Sequence, residues 1–74
     1  MSVFESQADV DALRREYPVG TKVVVDAMED PFPTPVGTAG TVKFVDDAGQ
    51  IQVVWENGSQ LALIPGVDRF HKIP

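Results

Sequence analysis

GTAGTVKFVDDAGQIQVVWENG, residues 37 to 58, decides the fold. Apolar, β-branched and aromatic side chains alternate with polar ones in two short runs, which is the period of a half-buried strand rather than a helix. The first run predicts a strand from Gly40 to Val45, with Val42 and Phe44 inward and Thr41 and Lys43 outward. The second predicts a strand from Gln50 to Trp55, with Ile51, Val53 and Trp55 on one face and Gln52 and Val54 on the other. Between them Asp46-Asp47-Ala48-Gly49 has turn chemistry, its glycine suited to positive φ. Asn57-Gly58 is a strong hairpin signal and predicts a type I′ turn with both residues at positive φ.

Working outward, Ser59 to Leu63 extends the pattern into a further strand, with Leu61 and Leu63 on one side and Gln60 and Ala62 on the other. Pro65-Gly66 breaks it, Val67-Asp68 predicts a single helical turn, and Arg69 to Ile73 reads as a last short strand. Upstream, Thr21 to Met28 has the period of a strand with Val23, Val25 and Ala27 on one face. The next segment, EDPFPTPVG, lacks amide donors at Pro31, Pro33 and Pro35 and reads as a long loop. Ser6 and Asp9 are spaced to cap a short helix whose Val10, Leu13 and Tyr17 share a face, and Pro18 ends it. Asp9 and Asp11 near its start and Arg14 and Arg15 near its end suit the helix dipole. The sum is a mainly β chain, a small five-stranded SH3-like barrel with a short N-terminal α-helix. Residues 1–18 form the N-terminal segment and 19–74 the barrel, within one domain.

GTKVVV, the proline loop, GTAGTVKFVDD, GQIQVVWENGS and LALIPGVDRF together resemble an uncharacterised bacterial family of small proteins from phages, plasmids and other mobile elements. The resemblance spans roughly residues 17 to 73 and implies no particular activity. A weaker similarity links Val19 to Gly58 to the KOW-type barrels of ribosomal and transcription-associated proteins, which implies RNA binding. Those modules are usually basic, whereas here only Lys22 and Lys43 lie in that span.

Charge bears directly on that implication. Eleven acidic residues against six basic ones leave a net charge of -5 on 74 residues. Phosphate contacts dominate nucleic-acid affinity and require clustered cations, so direct nucleic-acid binding is not expected unless Arg14, Arg15, Lys22, Lys43, Arg69 and Lys72 gather on one face. The absence of cysteine excludes disulfides and thiolate metal sites. The N-terminal MSVFESQADVD has no basic n-region or apolar run, and no stretch is apolar over the length of a membrane span. A monomer in the cytoplasm of a bacterial host, without membrane attachment, is expected.

No nucleophile with its base, phosphate loop or metal spacing is present, so no catalytic residue, cofactor or metal is expected. His71 is a lone histidine and reads as a surface residue. Trp55 has two readings, core or aromatic platform, and its phase with Ile51 and Val53 favours the core. Phe32, between two prolines, is either a lid on the core or an exposed partner anchor. The partner-binding candidates are Asp26, Glu29, Asp30, Phe32, Asp46, Asp47 and Glu56. An array of carboxylates can imitate nucleic-acid phosphates. The expected function is therefore that of a non-enzymatic inhibitor, of the anti-CRISPR type, occupying the cationic nucleic-acid groove of a host defence complex. The alternative is an adaptor that binds a phage or plasmid protein through its proline-rich loop.

Overall fold

The computed structural model describes residues 7–30 and 33–74. Helix α1, Gln7–Glu16, precedes strands β1, Lys22–Ala27, β2, Ala39–Val45, β3, Ile51–Trp55, and β4, Arg69–Ile73. The strands form one antiparallel sheet in the order β3-β2-β1-β4. The C-terminal strand thus returns to the first one, pairing Val24 with His71 and Val25 with Phe70.

Alternation places one face of this sheet in the core. Val23 and Val25 from β1, Val42 and Val45 from β2, and Ile51, Val53 and Trp55 from β3 are buried there with Leu63 and with Val10 of α1. Leu13, Tyr17, Met28 and Phe70 pack around this cluster. The predicted helix face is thus the one that packs, and Trp55 is core, its indole N–H donating to Leu61 O at 2.7 Å. The backbone of β2 approaches β3 so closely that a Cβ on Gly40 would lie 2.5 Å from Val53 Cγ1 and 2.6 Å from Trp55 Cε3. Only glycine fits there.

Several sequence expectations are corrected. The described residues form four strands in an open sheet, rather than five in a closed barrel. The segment expected as the fourth strand, Ser59 to Leu63, contributes a single bridge, Leu63 to Ile51. Its backbone groups are taken by side chains instead: Ser59 N–H donates to Asn57 Oδ1, Leu61 N–H to Ser59 Oγ, and Leu61 O accepts from Trp55. Without that ladder the described strands leave β3 and β4 as two unjoined edges. Phe44 is exposed and Val45 buried, the reverse of the predicted phase, because a bulge between Val42 and Phe44 inserts one residue against β3.

The Asn57-Gly58 turn is also not type I′. Gly58 has φ of 83° and no non-glycine residue among those described is at positive φ, so the turn closes from Gly58 N–H to Trp55 O with Glu56 and Asn57 inside it. At the other hairpin Gly49 N–H donates to Asp46 O in the same way. The predicted helical turn at Val67-Asp68 is a hydrogen-bonded turn in which both amides donate to Ile64 O. Ser6, the expected cap, lies outside the described residues.

Candidate functional site

The antiparallel order puts the chain's turns at opposite ends of the sheet. The β2–β3 turn carries Asp46 and Asp47, whereas the loop after β1 and the turn after β3 carry Glu29, Asp30 and Glu56. β2 is seven residues long, so the two ends are about 20 Å apart. The candidate carboxylates therefore form two groups. Phe32, the apolar candidate, lies outside the described residues.

At the Asp46–Asp47 end the two neighbours differ. Asp46 Oδ1 accepts from the Ala48 and Gln50 amides at 3.0 and 2.9 Å, and Oδ2 accepts from Gln52 Nε2 at 3.0 Å. Its carboxylate shapes the turn. Asp47 projects outward, and its Oδ1 accepts from Arg14 Nη2 at 2.8 Å. Arg14 also donates from Nε to Val45 O at 3.1 Å and approaches Asp11 at 3.5 Å. It thereby ties α1 to the end of β2.

Beside this clamp Arg14, Tyr17, Pro18, Val19, Phe44 and Val45 line an open hollow of about 190 Å³. Tyr17 packs its ring against Phe70 with centroids 5.5 Å apart, and Lys72 Nζ sits 5.2 Å from the Tyr17 centroid while donating to Glu16 O at 3.0 Å. Burial, reinforced by the charge of Glu16 and opposed by Lys72, pushes the Tyr17 phenol above its ordinary value.

At the other end Asp26 lies 2.9 Å from His71 Nδ1 through either oxygen, on the face of the sheet away from the core. Glu29, Asp30 and Glu56 are exposed. The loops there are pinned by polar contacts. Buried Asp68 accepts from Glu29 N–H through Oδ1 and from Ile64 N–H through Oδ2, both at 2.8 Å. Buried Thr34 shares a hydrogen bond of 2.8 Å with Ser59 Oγ, and its amide lies 3.4 Å from Met28 Sδ. Pro33, Pro35 and Val36 consequently stand exposed on an anchored loop.

The cations with described contacts do not share one face. Arg14 and Lys72 are drawn to α1, while Lys22, on the opposite face of the sheet, donates to Thr41 Oγ1. Among the described residues no group of three or more His, Cys, Asp or Glu could hold a metal ion, and no helix is long and apolar enough to cross a membrane.

A family model described as a domain of unknown function, DUF4314, matches residues 6–73. The chain belongs to this family. The match begins before α1, so the helix that Arg14 and Lys72 tie to the sheet is included in the family unit along with the strands. No similar chain was found among curated proteins or among solved structures.

Sequence reasoning missed Asp68, Arg14 as a clamp, and the hollow. Asp68 had a usable signal: an acidic residue ending a Pro-Gly-containing turn can accept nearby amides, as Asp46 does. The Arg14–Asp47 pair, 33 residues apart in sequence, had none.

Proposed function

We propose that this domain is a non-catalytic acidic binding module whose partner is a protein with a basic surface. The observation that carries the reading is the distribution of exposed carboxylates, Glu29, Asp30 and Glu56 at one end and Asp47 at the other, on a chain of net charge -5. Separated charges of one sign steer a basic partner from a distance and fix its orientation more than they add affinity. The two groups suit a partner that follows the long axis of the sheet better than one that meets a single patch.

In its most specific form the module is an inhibitor from a mobile element, acting in the bacterial cytoplasm as a monomer. It occupies the cationic nucleic-acid groove of a host defence complex in the manner of phosphate-mimicking anti-CRISPR proteins. Small size, acidity and the sequence resemblance support this form. We also read the scaffold as SH3-like and left open at the Ser59–Leu63 side, with β4 returning to β1 after a long first loop. Affinity capture from a bacterial host lysate tests the proposal. The retained protein should dissociate between about 0.05 and 0.5 M salt, and should lose its own DNA or RNA binding when the domain is added. Capture that is unchanged when Glu29, Asp47 and Glu56 are each replaced by Lys would defeat it.

The anchored proline loop favours a second reading, an adaptor. Thr34 and Met28 hold the loop while Pro33, Pro35 and Val36 face solvent. Binding by that route would resist salt and be lost in Val36→Asp.

A further inference from the structure

The hollow beside α1 offers a basic partner a point of attachment, an inference that rests on the acidic-module reading. Tyr17, Pro18 and Val19 leave the helix on one side, Phe44 and Val45 end β2 on the other, and Arg14 bridges the two. Val19 is 76% exposed and Phe44 51%, so two exposed large apolar side chains converge on one site. The bulge that turns Phe44 outward is what creates this apolar wall. At about 190 Å³ the hollow is smaller than the roughly 300–1,000 Å³ of small-molecule sites and suits one side chain of a protein.

Charge selects which protein. The guanidinium of Arg14 is already engaged by Val45 O, Asp47 and Asp11, so an incoming anion would meet a neutralised cation with carboxylates beside it. Lys72, beside the Tyr17 ring, is likewise paired with Glu16, so both cations placed at the hollow are matched by carboxylates, Arg14 by two of them. The Asp47 side chain is 93% exposed, and Arg14 holds it through Oδ1. We propose that the hollow receives one aliphatic side chain from a basic segment of a partner protein, with an adjacent arginine or lysine against the Asp47 carboxylate. Apolar burial then supplies the anchor and charge the selectivity.

The test uses the whole protein, ¹⁵N-labelled, titrated with the capped peptide Arg-Leu-Arg and with Glu-Leu-Glu and Arg-Gly-Arg as comparisons. The amides of Val19, Phe44, Val45 and Asp47 should shift with Arg-Leu-Arg and much less with the other two. Phe44→Ser and Asp47→Ala, both at exposed positions, should each weaken the response roughly tenfold while leaving the Val23 and Val53 amides in place. Equal response to Glu-Leu-Glu, or shifts spread evenly to Glu29 and Glu56, would overturn the proposal. So would dilution-dependent shifts at the same amides without peptide, which would make a second copy the occupant. Partner capture that survives Phe44→Ser but fails on carboxylate reversal would remove the hollow and keep the acidic module. Capture indifferent to those reversals would remove the module itself.

Discussion

Asp68 is the buried acidic residue among those described. It is 7% exposed and its two oxygens satisfy two backbone amides, joining the start of the β1–β2 loop to the turn before β4. Asp68→Ala leaves both donors without that acceptor, at about 1–3 kcal/mol for each buried donor that stays unsatisfied. A urea denaturation midpoint should fall by the equivalent of about 2–4 kcal/mol, a large fraction of a small domain's stability. A loss below about 0.5 kcal/mol would mean that water reaches both amides. Gly40→Ala should cost about 1–3 kcal/mol for a different reason, since the new methyl collides with Val53 and Trp55 and with Val54 O at 2.9 Å. Tyr17 sets an alkaline limit. Its folded-state pKa is raised, so its contribution is fully present below the unfolded value of about 10 and is lost as pH rises through the folded one. Melting temperature should therefore fall more steeply above about pH 10 in the wild type than in Tyr17→Phe. Parallel curves would show that the phenol does not couple to folding.

Elements were legible wherever local pattern and tertiary need agree. α1 and the strands containing Val23, Val53 and Phe70 follow from period and punctuation, and Trp55 was placed by its phase. The misreadings fall where long-range contacts override the local pattern. Nothing in TVKFV marks a bulge, because Val42 is fixed from outside, accepting from Gly20 N–H and donating to Thr21 O. Leu61 and Leu63 alternate as a strand would, yet Ser59, Asn57 and Trp55 capture the backbone between them. The same holds for the candidate site: its carboxylates could be named from composition, but which of them shape turns, as Asp46 does, depends on partners distant in the chain or held by the turn itself. The attachment of α1 is the clearest case. Arg14→Met keeps the aliphatic stem and removes the bonds to Val45 O and Asp47, so it should cost about 0.5–1.5 kcal/mol, with exposure keeping it at the lower end. Amide exchange should quicken in α1 while β1 stays protected. Uniform loss of protection would instead mean that α1 and the sheet open as one unit.

For the molecule as a whole, charge and size fix how salt should act. The described residues span 32 × 27 × 17 Å, so at about 0.01 M salt, where the screening length is about 30 Å, nearly every charge acts on every other. At 0.15 M that length is about 8 Å and only neighbours interact. Two contributions then compete. The pairs Arg14–Asp47, Arg14–Asp11 and Lys72–Glu16 lose strength on screening, but all are partly exposed and each is worth about 0–1 kcal/mol. The excess of eleven carboxylates over six cations is repulsive at long range, and screening relieves it. Because the paired contacts are short and the repulsion is not, raising salt from about 0.01 to 0.15 M should increase the urea midpoint. Binding to the proposed basic partner should weaken over the same range, so stability and that binding should respond to salt with opposite signs. Glu29→Gln combined with Glu56→Gln lowers the net charge to about -3 and should flatten both responses. A midpoint that instead falls with salt would assign the net electrostatic contribution to the ion pairs that tie α1 and β4 in place.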